Sequence, residues 1–257
     1  MDCNQSDRGT FAIVTNVVVL NTELHRTLRV FGEASAKFGD DQRFVQVIIT
    51  EFAHLVLQYP ILISKDADTG AFYCGVMLGF DEGENLFLKE GKGHEGYRPL
   101  NLQRLPFYTQ GADLAIDLDH PRVNAEGGKA LFTESGGSTA YLDSIKSAFR
   151  DLRPGIEMTK QFIATLMNLK LVEPVDITVQ FDDPSTRELV GLYTINQDVL
   201  RQLPDSEVID LFRRGYLKLI YLMVASLKQV PILAKRKNDR FRTGSDNLAG
   251  RSVWPRG

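Results

Sequence analysis

The chain has 257 residues, 43% hydrophobic and 25% charged, with a net charge of −3. That is the profile of an ordinary globular protein able to bury a sizeable core, and it argues against a dedicated nucleic-acid binder, whose footprint is a strong basic excess. The two cysteines, Cys3 and Cys74, are too few for a disulfide framework or a zinc site, so a reducing, cytoplasmic setting is expected.

Met1 to Thr10 carries Asp2, Asp7 and Arg8 and lacks a basic start followed by an apolar stretch, so no secretion signal is expected. Val17 to Leu20 is a β-branched run that predicts a first strand. Asn21 to Asp41 is open between strand and loop, punctuated by Gly32 and Gly39. From Phe44 to Tyr59 the apolar residues Phe44, Val45, Ile48, Ile49, Phe52, Leu55 and Val56 step by three and four, which predicts an amphipathic helix ended by Pro60. The period then changes. Ile61 to Ile63, Phe72 to Leu78 and Asn85 to Leu88 are short apolar runs separated by turn residues, the pattern of an antiparallel meander. Gly91 to Gly111 has no clean period, Leu114 to Leu118 predicts another strand, and Arg122 to Lys129 a loop.

The second half reads as mainly helical. Ser138 can cap a helix carrying Tyr141, Leu142, Ile145 and Phe149, with a break at Arg153-Pro154-Gly155 and a second helix over Ile156 to Leu169. Pro174 to Phe181 and Glu188 to Ile195 predict paired strands, Asn196 caps a short helix, and Asp205 to Ser226 predicts a long central one. The windows Val45–Leu57 and Leu217–Val230 are interrupted by Glu51, His54, Lys218 and Lys228, short of the roughly 20 apolar residues of a bilayer span, so no integral membrane segment is expected. From Lys235 onward, seven Lys or Arg face Asp239 and Asp246, a local charge of +5 that leaves −8 for the rest. That basic stretch reads as solvated, with Arg242 to Gly257 a mobile tail beyond a single domain of residues 1–241. No repeat is present and strands do not alternate with helices, so the expected class is α+β: antiparallel sheet in the N-terminal half with a helical C-terminal half packed against it.

One ordered set of short motifs is distinctive. Gly83-Glu84-Asn85-Leu86-Phe87 is followed by the run Tyr97-Arg98-Pro99-Leu100-Asn101-Leu102-Gln103-Arg104-Leu105-Pro106-Phe107. With it come Glu51-Phe52, Tyr59-Pro60-Ile61-Leu62, Leu131-Phe132, Gly191-Leu192-Tyr193-Thr194-Ile195-Asn196 and Gly215-Tyr216-Leu217 through Ser226-Leu227. In this order and spacing the chain resembles the bacterial SapC family from Asn21 to Asn238. The resemblance implies a surface-layer association by name, and partners of the kind encoded nearby: TonB-dependent receptors and halogenase-like proteins. It supplies no catalytic residues. The chain departs from the family's usual pattern at His94, where tryptophan is common, and at Gln103, where a second arginine often precedes Arg104.

Read for chemistry, the histidines give little. Glu51 and His54 lie three apart, and Asp117 and His120 sit near a strand end; they are the candidate metal ligands, but the first pair has no second copy and the second no distinctive distant His to complete a site. There is no Gly-x-Ser-x-Gly elbow, and Gly136-Gly137-Ser138 reads as a turn before a helix cap. Cys74 reads as a small core residue. Glu90-Gly91-Lys92-Gly93 and Gly127-Gly128-Lys129 lack phosphate-loop spacing, so no nucleotide or other cofactor is expected. The irregular segment from Glu84 to Phe107 gathers Asn85, His94, Tyr97, Arg98, Arg104 and Phe107, and is where a ligand site is expected. Arg98 and Arg104 can hold a carboxylate between aromatic walls, or can instead pair with internal acids under a covering segment pinned by Pro99 and Pro106. The leading expectation is a non-catalytic binding or accessory protein for a small organic acid, peptide or envelope component. The alternatives are a metal-dependent or cofactor-assisted enzyme and a surface-layer or complex-assembly component.

Overall fold

Strand pairing between distant segments organises the chain. The computed structural model describes residues 16–89, 91–124, 126–182 and 186–249, with side chains as far as 242. The strands in chain order are β1 (Val17–Val19), β2 (Arg29–Val30), β3 (Phe44–Gln46), β4 (Ile61–Lys65), β5 (Phe72–Met77), β6 (Leu88–Lys89), β7 (Gly93–His94), β8 (Phe107–Gln110), β9 (Asp113–Asp117), β10 (Val123–Asn124), β11 (Lys129–Ala130), β12 (Val172–Gln180) and β13 (Thr186–Ile195). The helices are α1 (Phe52–Leu55), α2 (Leu100–Gln103), α3 (Ala140–Asn168), α4 (Gln197–Arg201), α5 (Asp205–Arg213), α6 (Tyr216–Ser226) and α7 (Gln229–Ala249).

The fold is α+β. Its main sheet has the order β12-β13-β4-β5-β3, with smaller sheets β1-β9-β8, β10-β2-β11 and β6-β7. β4 and β5 pair from Ile61↔Val76 to Lys65↔Phe72, and the β12–β13 hairpin joins β4 through Leu192↔Ser64 and Tyr193↔Ile63. One face of the main sheet buries Ile61, Ile63, Cys74 and Val76 against Phe52, Phe162, Ile220 and Met223. A second cluster of Val30, Phe107, Ile116, Leu131, Leu142 and Ile145 fills the space under the smaller sheets.

Several expectations are corrected. The expected helix over Phe44 to Tyr59 is three pieces: β3, a 3₁₀ turn at Ile49–Glu51 and the four-residue α1. Pairing of Phe44, Val45 and Gln46 with Met77, Val76 and Gly75 overrides the helical spacing, and Gly75 makes room for the Phe44 ring, since a Cβ there would lie 2.1 Å from it. The expected break at Pro154 does not occur: α3 runs unbroken for 29 residues. Packing explains its persistence. Gly155 abuts Ile48, whose Cδ1 would sit 2.3 Å from an added Cβ. Thr159 Oγ1 accepts from the Ile49 N–H at 3.0 Å and donates to the Gly155 carbonyl at 2.6 Å, so a backbone donor of the neighbouring loop is satisfied within the contact. Thr139 caps this helix by accepting from the Leu142 N–H at 3.3 Å; Ser138 instead accepts from Lys146.

The expected helix from Asp205 to Ser226 is divided at Gly215, whose φ of +74° ends α5 in the left-handed region that glycine tolerates. Asn196 caps α4, accepting from the Val199 N–H at 2.9 Å. α6 presses Tyr216, Ile220 and Met223 inward, and Ser226 Oγ accepts from the Ile61 N–H at 2.8 Å. Among the described residues one stretch, Tyr216–Arg242, is long and apolar enough to cross a membrane, by length and composition only. The basic stretch is not a solvated coil: α7 carries it as helix to Ala249, and residues 250–257 lie outside the described ones.

Candidate functional site

Asp40 is the centre from which the site builds. Gly39, at φ +79°, turns the chain after a 3₁₀ turn at Ala36–Phe38 and drives the Asp40 carboxylate inward. The carboxylate is fully buried and accepts from the Ser35 N–H at 2.8 Å and from Arg98 Nη2 at 2.7 Å. Arg98 takes Oδ1, and Arg122 Nη2 donates to Oδ2, the oxygen that also accepts from the Ser35 N–H, while Arg122 Nη1 donates to the carbonyls of Phe31 and Glu33 at 2.8 and 2.7 Å. The Arg122 guanidinium also lies 5.0 Å from the Phe38 ring centroid. Arg98 donates further to the carbonyls of Leu102 and Gly32. Two cations share one anion in a buried setting, so the group holds a surplus of one positive charge. Such a surplus is costly unless something answers it.

Beside this group lies a cavity of about 930 Å³. One wall is the segment Glu33–Lys37; the other is the β6–β7 hairpin with Arg98. Gly93, at φ +77°, makes the left-handed turn that sets the hairpin alongside Ala34. Lys37 and Lys92 stand at the cavity wall, whereas Lys89 is committed to Glu95 at 2.9 Å. Glu95, also paired with Arg236, has its carboxyl lowered to about 2 by those two cations.

The cavity wall carries unanswered polar atoms. Both ring nitrogens of His94 and Nε of Arg98 are shielded from solvent without a hydrogen bond of ordinary geometry. Burial, and then the charge of Arg98, lowers the His94 pKa to about 4, so the ring is neutral at pH 7, stacked on Phe87 with centroids 5.9 Å apart. Two other hollows, of about 470 and 620 Å³, include no such atom among their lining residues. Buried polar groups in folded proteins are nearly always partnered, so a cluster of exceptions around one cavity marks it out.

The remaining expected residues are placed elsewhere, and no clamp forms from Arg98 and Arg104. Arg104 is buried, donating from Nε to Asn101 Oδ1 at 2.8 Å and from Nη1 to the Phe107 carbonyl at 3.0 Å, with its guanidinium over the Tyr108 ring. Phe107 is sealed in the second core cluster. Asn85 braces the site from behind, donating to the Asp40 carbonyl at 2.8 Å and accepting from the Phe87 N–H. Tyr97 donates to Glu51 Oε1 at 3.1 Å, and its ring stacks on the exposed His54. Glu51 is a buried cap: it accepts from the N–H groups of Ile48 and Leu100, and burial raises its pKa. Asp117 accepts from the N–H groups of Asn16 and Asp119, and His120 Nδ1 from that of Arg122. Among the described residues, no three His, Cys, Asp or Glu side chains gather to hold a metal ion. Cys74 is buried at the sheet, its thiol pushed up to about 12 by burial.

α7 fastens the hairpin wall from outside. Arg236 pairs with Glu95 at 3.0 Å and lies over Phe87; Arg240 donates to the carbonyls of Asn85 and Leu88 at 3.0 and 2.7 Å. Buried Lys237 pairs with Asp81 and, at 3.1 Å, with Glu84, among the rings of Phe80, Phe181 and Phe241.

The SapC family model matches residues 20–233, which hold the Asp40 group and the cavity. The chain belongs to the SapC family. No curated protein and no solved structure gives a match. Within this SapC unit, both cavity walls, Asp40, Arg98 and Arg122 all fall inside the matched range, while most of α7, with Arg236, Lys237 and Arg240, continues past it. Sequence reasoning missed Asp40, Arg122 and Lys37. The one signal available was Gly39 before Asp40, a turn residue that sends the next side chain inward.

Proposed function

We propose that this SapC-family chain is a non-catalytic binding protein for a small organic anion, held in the cavity between Glu33–Lys37 and the β6–β7 hairpin. The observation that carries the reading is the buried Arg98–Asp40–Arg122 group, with its surplus positive charge, beside a cavity whose wall also bears Lys37 and Lys92. Arg98 lines the cavity, keeps 14% of its side chain exposed and is held in orientation by Asp40. A carboxylate there would take charge-assisted hydrogen bonds and cancel the surplus. Lys37 and Lys92, at the cavity wall, raise the local anion concentration. A peptide or envelope component would enter the same place by a carboxylate or other anionic group.

The test is thermal unfolding against a panel of mono-, di- and tricarboxylates and inorganic phosphate. A ligand present at about a hundred times its Kd should stabilise the fold by roughly 2.7 kcal/mol. At least one anion should raise the melting temperature in the native chain, and Lys37→Glu with Lys92→Glu, both at the cavity wall, should weaken that rise. If no anion at about 10 mM shifts the transition, or the double variant responds in full, the reading is overturned.

A further inference from the structure

A second feature, independent of the cavity, lies on the outside of the helical half. Lys218, Tyr221, Ala225, Lys228, Ile232 and Lys235 are spaced alternately by three and four, and all six are exposed. This is a single helical face running from α6 into α7, opposite the inward Tyr216, Ile220 and Met223. Tyr221 is 57% and Ile232 49% exposed, and Ile209 and Phe212 on α5 are exposed as well. The stretch has the length and apolar composition of a membrane segment, yet only 22% of its most apolar window is buried in the fold. From Leu211 to Lys235 it carries Arg213, Arg214, Lys218, Lys228 and Lys235 and no acidic residue, in a chain whose net charge is −3.

We propose that this face docks on a membrane surface bearing anionic lipid headgroups. The combination identifies the occupant. Exposed rings and aliphatics on a helix, interleaved with lysines and free of acids, fit an interfacial helix lying in the headgroup plane. A second copy of the chain fits poorly, since a two-fold contact through this stripe would set lysine against lysine. The helix lies flat rather than crossing, because its opposite face is already engaged with the main sheet through Ile220, Met223 and Ser226.

Sedimentation of the full chain with phosphatidylcholine vesicles, and with vesicles in which about three lipids in ten are phosphatidylglycerol, tests this directly. Binding is expected to the anionic vesicles alone, to weaken with salt, and to fall more than about tenfold in K218E/K228E. Because both lysines are exposed, that variant should melt with the native chain. If it does not, Y221W supplies the reading instead, its emission shifting to the blue on anionic vesicles and not on neutral ones. The proposal is overturned if the native chain ignores anionic vesicles, if K218E/K228E binds undiminished, or if the chain proves a dimer that Y221E dissolves. None of these outcomes bears on the anion cavity, whose test uses no lipid.

Discussion

Two clusters of charge, each built on a buried cation, flank the same hairpin, and they differ in their arithmetic. On the α7 side, Lys237 and Arg187 meet Asp81 and Glu84, two cations against two anions. On the cavity side, Arg98 and Arg122 meet Asp40 alone. The first group is balanced: Lys237, buried among Phe80, Phe181 and Phe241, fastens α7 to Asp81 and Glu84, and Arg187 ties β13 to the same Asp81. The second is left one charge out of balance and faces a void. Burial alone therefore does not separate a brace from a site. The uncompensated charge does, since a fold that needs only a brace has no reason to retain a surplus in low dielectric.

Substitution at the two centres should expose that difference. Asp40→Asn leaves two buried guanidinium groups without their shared anion, and breaking a buried pair costs about 3–5 kcal/mol, the largest effect expected in this chain. Denaturant unfolding should show the midpoint falling accordingly. A high concentration of the anion that fills the cavity should recover part of the loss, because it supplies the missing negative charge. A fall below about 1 kcal/mol would mean that Arg98 and Arg122 do not depend on Asp40. Lys237→Met, in contrast, exchanges a cation for a similar volume among three rings, and leaves Asp81 paired with Arg187. The expected loss is about 1–2 kcal/mol, with no recovery by small anions. Recovery there would erase the distinction between the two clusters.

How much of this was legible follows from how far each feature reaches along the chain. β1, β4, β5, β9 and the β12–β13 hairpin announce themselves locally, by β-branched runs between turn residues, and the Asn196 cap does so by a single residue. The unbroken α3 does not. Pro154-Gly155 reads as a stop, and only the contact of Gly155 with Ile48 and the hydrogen bond from Ile49 to Thr159, 110 residues apart, show why helix persists there. The site divides the same way. The segment Glu84 to Phe107 was visible as an irregular stretch rich in polar groups, and it does supply His94 and Arg98 to the cavity. Nothing in that stretch distinguishes Arg98 from Arg104, because their fates are set by Asp40, 58 residues before the one, and by the Asn101 amide beside the other. Charge partners brought together by tertiary structure leave no period to read.

His94 offers the smallest and most discriminating test of the comparison. Its pKa in the folded chain is held near 4, below the ordinary value of about 6.5, first by burial and then by Arg98. Between those two values the unfolded chain binds the proton and the folded chain does not, so His94 contributes stability that is complete above pH 6.5 and declines as the pH falls toward 4. His94→Phe keeps a ring against Phe87 and removes the titration, so its unfolding free energy should depend less steeply on pH across that window than the native chain's. The charge imbalance adds a further condition. A bound anion would offset the surplus that opposes a proton on His94, raise its pKa toward the ordinary value and flatten the native slope, while leaving the His94→Phe slope unchanged. If the slopes of native chain and variant coincide without ligand, His94 does not sense the surplus charge. If they differ but saturating anion changes neither, the cavity is not where the anion sits.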